Sequence, residues 1–65
     1  MSKSELAGLR RGTRLLWHTY EVNRGRMKEK TLNAYIEAHD KGLTWIRVPL
    51  LGLVTVVNPA HLEFP

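Results

Sequence analysis

Residues Thr31–His39, TLNAYIEAH, carry the clearest structural pattern in this chain. Its apolar and polar residues alternate without a break over nine positions, which is the pattern of a strand with one buried and one exposed face. The predicted buried face consists of Leu32, Ala34, Ile36 and Ala38. The turn sequence Asp40-Lys41-Gly42 follows at once, as expected between two strands of a hairpin. We therefore predict that this stretch is a β-strand.

The same stretch also fits a helix at about residues 31–40. A period of 3.6 places four side chains on one face: Leu32, Tyr35, Ile36 and His39. Thr31 is a suitable N-cap and Gly42 a suitable end for such a helix, and alanine and glutamate favour helical backbone. The alternative to the predicted strand is therefore an α+β fold.

Three further segments have the composition of strands. Arg14–Val22, Leu43–Val48 and Leu53–Val57 are rich in β-branched and aromatic residues. The link between the last two, Pro49–Gly52, is short and ends in a glycine, which can adopt positive φ at little cost. The spacing of turn signals predicts an all-β chain of short antiparallel strands.

Both ends of the chain carry weaker signals. Residues 59–61, PAH, are long enough for one 3-10 turn, and the alternating residues 62–64 that follow predict a short last strand. At the start, Ser4–Leu9 predicts a short helical turn with Ser4 as its N-cap.

Residues 12–64 as a whole resemble an SH3-like barrel: a first strand, a long charged loop, three strands with tight links, a 3-10 turn and a short last strand. The resemblance is one of architecture. It implies a five-stranded, strongly bent antiparallel barrel over residues 12–65, preceded by an extension or helical turn over residues 1–11. It also implies that the long first loop, NRGRMKEK at residues 23–30, carries much of the binding.

The composition indicates a basic, globular chain of one domain. Of its 65 residues, 43% are hydrophobic and 25% are charged, with a formal net charge of +4. Eight of the ten Lys and Arg residues fall within residues 1–30, beside three acids, which predicts a polyanionic partner. The chain has no cysteine and no apolar run long enough for a signal peptide or a membrane span, so we expect a cytoplasmic protein.

Catalytic and metal-binding patterns are missing from the sequence. His18, His39 and His61 are far apart and no cysteine accompanies them, so they form no recognisable zinc motif. The only serines are Ser2 and Ser4, near the terminus, outside any nucleophile motif. We predict no enzymatic activity, no metal and no cofactor.

The sequence favours nucleic acid, DNA or RNA, as the partner. Cations on alternate residues from position 24 to position 30 would contact backbone phosphates, and exposed aromatic residues would stack on bases. The predicted nucleic-acid-binding residues are Arg10, Arg11, Arg14, Arg24, Arg26, Lys28, Lys30, Trp45 and Arg47. The predicted function is nucleic-acid binding with little sequence preference.

Two alternative functions remain open at this level. One is a small protein-binding or inhibitory module, of the kind that phages and plasmids encode. The other is a homo-oligomeric assembly protein, because residues 43–57 carry more apolar side chains than one face of a small barrel can bury. Leu50 and Leu51 in particular lie at a predicted turn, where water is the usual neighbour.

Overall fold

The computed structural model describes residues 1–65 and confirms the all-β class. One helix, α1 (Lys3–Ala7), precedes five strands, which are β1 (Arg14–Asn23), β2 (Arg26–Asp40), β3 (Leu43–Val48), β4 (Leu53–Val56) and β5 (Leu62–Glu63). The strands form one antiparallel sheet in the order β4-β3-β2-β1-β5. Because the stretch Thr31–His39 lies wholly within β2, the alternative of a helix at residues 31–40 is wrong.

The long strand β2 organises the sheet. Its first part, residues 26–35, pairs with β1, and its last part, residues 35–40, pairs with β3. The register shifts between Ile36 and Ala38, as in a β-bulge. A bulge adds a residue to one strand and breaks the simple alternation. Ala38 is consequently exposed, so its predicted place on the buried face is wrong, whereas the other three residues of that face are buried.

The core draws on every β-strand except β4, and on the helix. Its eight buried apolar residues are Leu6, Leu15, Leu32, Ala34, Ile36, Ile46, Val48 and Leu62. Burying one Val, Leu or Ile side chain stabilises a fold by roughly 1.5–3 kcal/mol. In so small a core, each of these side chains therefore supplies a large share of the stability.

The N-terminal helix begins earlier than the sequence predicted. Ser2 is the N-cap, not Ser4, and the helix ends at Ala7, before Gly8. The Ser2 hydroxyl accepts a hydrogen bond from the Glu5 N–H, while the Glu5 carboxylate accepts one from the Ser2 N–H, both at 3.1 Å. The hydrogen bond that the Ser2 backbone N–H donates to the carboxylate, followed by that of the Ser2 side chain, lowers the pKa of the Glu5 carboxyl. The capped helix holds Leu6 in the core.

The turns near the C-terminus follow the sequence prediction closely. A 3-10 turn spans Pro49–Leu51, and Gly52 after it has φ of 60°. A second 3-10 turn spans Pro59–His61, directly before β5. Strand β5 ends at Glu63, one residue earlier than predicted, and Phe64 is exposed.

The predicted long first loop is wrong. Strand β1 continues to Asn23 and β2 begins at Arg26, so only Arg24 and Gly25 lie between the two strands. Residues 26–30 of the charged stretch belong to strand β2, because they pair with β1 up to the turn. The cations of this stretch are therefore held on a regular scaffold.

The side chain of Ile46 provides a test of the core. It is fully buried in the middle of β3. We expect Ile46→Ala to lower the free energy of unfolding by about 2–5 kcal/mol, because it removes buried methyl groups and leaves a cavity. Val22→Ala, at a residue that is 71% exposed, is the matched control. We expect this control to change stability by about 0.5 kcal/mol or less. Equal urea midpoints for the two variants would contradict this core.

Candidate nucleic-acid interface

The hairpin of β1 and β2 closes in a two-residue turn with both central residues at positive φ. Arg24 has φ of 53° and Gly25 has φ of 75°, and Asn23 pairs with Arg26 across the turn. Turns of this kind match the right-handed twist of paired strands, and glycine occupies the second position at no steric cost. Left-handed backbone at an arginine costs roughly 1–2 kcal/mol, which the paired strands on either side offset.

Beyond the core this hairpin continues as a projecting arm, which we call the β arm (residues 19–30). None of its residues is buried. Five residues of extended strand reach about 17 Å. The molecule accordingly measures 38 Å along its longest axis and 22 Å along each of the others. The arm stands in solvent, accessible from several sides.

The register of the hairpin divides the β arm into two faces. Residues paired across an antiparallel ladder lie on the same face of the sheet. One face carries the cations Arg26, Lys28 and Lys30. The opposite face carries three exposed apolar side chains, those of Tyr20, Val22 and Met27. The arm is therefore amphipathic, with Arg24 at its tip.

Most of the positive charge on the β arm has no carboxylate partner. Lys30 Nζ lies 3.8 Å from Glu21 Oε2, and this exposed ion pair contributes at most about 1 kcal/mol. Arg24, Arg26 and Lys28 have no carboxylate within 4.0 Å. Three cations at the outer end of the arm are therefore available to an external anion.

An open cleft of about 730 Å³ lies beside the tip of the β arm. Its lining residues are Asn23, Arg24, Arg26, Met27 and Lys28. Three of these five carry the unpartnered cations, so the cleft combines positive potential with room for a ligand group. Its openness to solvent suits the surface of an extended polyanion.

A second group of predicted site residues lies on the outer face of the sheet. Tyr35 pairs with Arg14 on one side and with Arg47 on the other. The guanidinium of Arg47 lies 5.1 Å from the centroid of the Tyr35 ring, within range of a cation–π contact. Trp45 lies two residues before Arg47 on the same face and is 36% exposed. We call Arg14, Tyr35, Trp45 and Arg47 the aromatic platform.

Glu37 moderates the charge of this platform. Its two carboxylate oxygens lie 3.4 Å from Nε of Arg47 and 3.5 Å from an Nη of Arg11. Arg11 and Arg47 thus share one negative charge, and Arg14 has no carboxylate within 4.0 Å. The platform with Arg11 retains a net positive charge of two, counting three arginines against one glutamate.

The segment before β1 places the remaining candidate, Arg10, at the surface. Its carbonyl oxygen accepts hydrogen bonds from the hydroxyl of Thr13 at 2.6 Å and from the N–H of Thr13 at 3.1 Å. These bonds form a turn that leads the chain into the sheet. The guanidinium of Arg10 is exposed and forms no ion pair.

The structure therefore divides eight of the nine predicted residues between two surfaces, and leaves Arg10 in the segment before β1. Arg26, Lys28 and Lys30 lie on the face of the hairpin that continues toward the core, whereas the platform lies on the outer face. Trp17, the other tryptophan, lies on the inner face and packs against the core. This division of the residues between two faces follows from the register of the strands. The spacing of residues along the sequence does not specify the register of three strands.

Two residues outside the predicted site take part in its geometry. Tyr35 joins Arg14 and Arg47 across three strands, and Glu37 bridges two arginines. The alternation within β2 predicts that Tyr35 and Glu37 lie on one face. It does not predict which arginines of the neighbouring segments they contact. Only the pairing of β2 with both neighbours brings these side chains together.

His18 and His39 have structural contacts, and His61 lines a small pocket together with His18. His18 Nε2 lies 2.7 Å from Glu63 Oε1 and links β1 to β5. His39 donates a hydrogen bond of 2.7 Å to the carbonyl oxygen of Leu9, which ties the end of β2 to the N-terminal segment. No group of three or more His, Asp or Glu side chains has an arrangement suited to a metal ion.

Comparison with known proteins identifies no relative. No protein-family model, no curated protein and no solved structure matches this chain. The only α-helix has five residues, so no helix of the chain could cross a membrane.

The two tryptophans provide a test of this geometry. Trp45→Phe leaves only Trp17, which packs against the core, and Trp17→Phe leaves only the more exposed Trp45. We expect the fluorescence of the Trp17→Phe variant to be quenched more strongly by acrylamide and to emit at longer wavelength, because water reaches its indole. Dilute protein is used, so that self-association does not cover Trp45. Equal quenching of the two variants would contradict the assignment of faces.

Proposed function

We propose that this protein binds nucleic acid through the phosphate backbone, with little sequence preference. The observation that carries this proposal is the β arm, on which Arg24, Arg26 and Lys28 project into solvent without carboxylate partners. Cations that lie close together on a protruding hairpin repel one another, and an external anion relieves that repulsion. A polyanion with regularly spaced charges is the ligand that fits.

The spacing of the arm cations suits a polyphosphate chain. Side chains on alternate strand residues are about 7 Å apart along the strand. Each phosphate that such a cation neutralises releases a condensed counterion, so the binding constant falls steeply with salt. With four contacts, a rise from about 50 to about 200 mM salt would weaken binding by about 100-fold. Backbone contacts of this kind carry no base information.

The aromatic platform adds a second kind of contact. Every base has a π-face, so stacking on an exposed aromatic ring is tolerant of sequence. Trp45 and Tyr35 are partly exposed, and Arg14 and Arg47 beside them are positioned for neighbouring phosphates. Stacking requires unpaired bases, so this surface favours single-stranded DNA or RNA, whereas the β arm requires only a backbone.

This proposal agrees with a cytoplasmic protein, which would meet both DNA and RNA. The resemblance to SH3-like barrels stays a prediction, and that superfold serves many functions, so it does not choose between partners. The absence of enzymatic activity likewise stays a prediction.

A matched pair of double variants tests the role of the β arm. Arg26→Gln with Lys28→Gln removes two arm cations. Lys3→Gln with Lys41→Gln removes the same net charge from α1 and from the turn after β2. We expect the arm variant to bind far more weakly than the control, and the slope of log K against log salt to fall by about 1.4–1.8. Anisotropy of labelled DNA and RNA, single-stranded and duplex, measures both quantities.

The outcomes of this titration separate the possibilities. Binding that weakens with salt and depends on the arm cations supports the proposal. Equal losses in the two double variants would show that only net charge matters. No binding by the unaltered protein at low salt would refute nucleic acid as the partner.

A further inference from the structure

The β4 border of the sheet, with the 3-10 turn that leads into it, exposes a group of large apolar side chains. We call it the apolar edge, and it consists of Leu43, Trp45, Leu50, Leu51, Leu53, Val54 and Val56. Each is at least 36% exposed, and Leu50 is 72% exposed. The residues come from β3, β4 and the 3-10 turn that joins them, and four of them, Leu43, Trp45, Val54 and Val56, lie side by side on the outer face of the sheet. Contiguous apolar patches mark interaction surfaces more often than isolated exposed residues do.

Strand β4 lies at the border of the sheet, with an unpaired backbone on one side. It pairs with β3, and no strand covers its other side. Soluble proteins usually protect such an edge with charges, proline or a bulge. Residues 53–56 have none of these, and no Lys, Arg, Asp or Glu occurs anywhere from position 48 to position 62. This edge is therefore open to another strand.

We propose that the apolar edge is a dimer interface, in which β4 of one copy pairs antiparallel with β4 of a second copy about a two-fold axis. The pairing joins the two sheets into one continuous sheet of ten strands. Main-chain hydrogen bonds satisfy the free edge, and the apolar side chains of both copies cover each other. The contact is isologous, so the same surface serves both partners.

The size of the apolar edge fits a second copy. Full burial of a Val or Leu side chain removes roughly 60–120 Å² from water, and that of an aromatic residue 150–250 Å². Seven side chains, about half exposed, therefore present on the order of 500 Å² per copy. Two copies would bury at most about 1,000 Å², which is the lower limit for a specific interface, so we expect weak, concentration-dependent association.

Charge also favours a second copy over a charged partner. Each chain carries a net charge of +4, but only two cations lie at the margin of the apolar edge: Arg47, whose guanidinium lies beside Glu37, and Lys3 of α1, which lines a pocket with Leu43 and Val56. Two copies can thus meet there with few like charges in contact. A partner chosen by charge would instead be drawn to the β arm.

The opposite border of the sheet explains why assembly stops at two copies. Strand β5 has only two residues, one of them the charged Glu63, which contacts His18. Phe64 and Pro65 follow, and proline cannot donate a ladder hydrogen bond. Pairing of β4 with β5 of another copy would be needed for an open chain of molecules. The free edges of the β arm carry charged residues, which protect an edge from pairing, so the uncharged β4 border is the one that supports pairing and the assembly closes as a dimer.

The alternation of side chains along β4 restricts the register in which two copies of β4 can pair. Directly opposite residues of an antiparallel pair point to the same face. Val54 and Val56 lie on the outer face, and Leu53 and Thr55 on the inner face. A pairing centred on Thr55 sets Val54 of one copy opposite Val56 of the other. The β arm is separated from β4 by β3, so it stays accessible in the dimer.

Two single variants with the same change of side chain test the interface. Val54→Lys introduces a charge into the pairing strand, and Val22→Lys introduces the same charge on the β arm. Both valines are exposed, so the fold itself should tolerate each change. Sedimentation velocity without nucleic acid, from about 1 to about 200 μM protein, measures this concentration-dependent association.

We expect the unaltered protein and Val22→Lys to shift from 7.5 kDa to twice that mass as concentration rises, whereas Val54→Lys stays monomeric. Amide hydrogen exchange of residues 53–56 in the unaltered protein gives a second measurement, which needs no variant. Protection of these amides should fall on dilution while that of β2 stays constant.

Three results would overturn the proposal. The first is a monomer throughout the concentration range, which would leave the edge for a different chain. The second is a dimer that Val54→Lys does not weaken, and the third is protection of residues 53–56 that is independent of concentration. Because the samples contain no nucleic acid, these results do not depend on the function proposed for the β arm.

Discussion

The structure depends on one strand, β2, pairing with two different neighbours along its length. Residues 26–35 pair with β1 and residues 35–40 with β3. The two sets of pairs bring Leu32, Ala34 and Ile36 of β2 against Leu15 and Ile46 of its neighbours. In a chain of 65 residues, no second layer compensates for the loss of this core. The alternation of TLNAYIEAH is thus the constraint from which the sheet follows.

The β arm is the part of the β1–β2 pairing that contributes no residue to the core. Its strands stay paired beyond the last buried residue because a tight turn of favourable twist closes them. Freed from packing, the arm carries charge at a density that a buried strand could not tolerate. Stability and the candidate interface are therefore separated in space, so the arm cations contribute little to holding the fold together.

The β arm and the β4 border of the sheet have opposite character. Cations without partners occupy the arm, and an uncharged apolar surface occupies β4 and its approach. Each feature is costly for an isolated monomer in water, the first through self-repulsion and the second through exposed apolar area. A polyanion relieves the first cost and a second copy of the chain relieves the second. A dimer would carry two arms, which raises its avidity for a long polyanion.

The residue pattern was enough to favour a strand at residues 31–39, to predict the turns after Pro49 and after Asn58, and to show that cations concentrate in the first half of the chain. These depend on period, turn chemistry and composition, which are local properties. Three features came from strand pairing in three dimensions: the exposure of Ala38, the paired strands in place of a loop at residues 23–30, and the division of the predicted site between two faces. Each of these depends on register between strands, and a shift by one residue reverses every side chain of a strand. Register depends on the packing of segments that are distant in the sequence, so it cannot be predicted from any one segment.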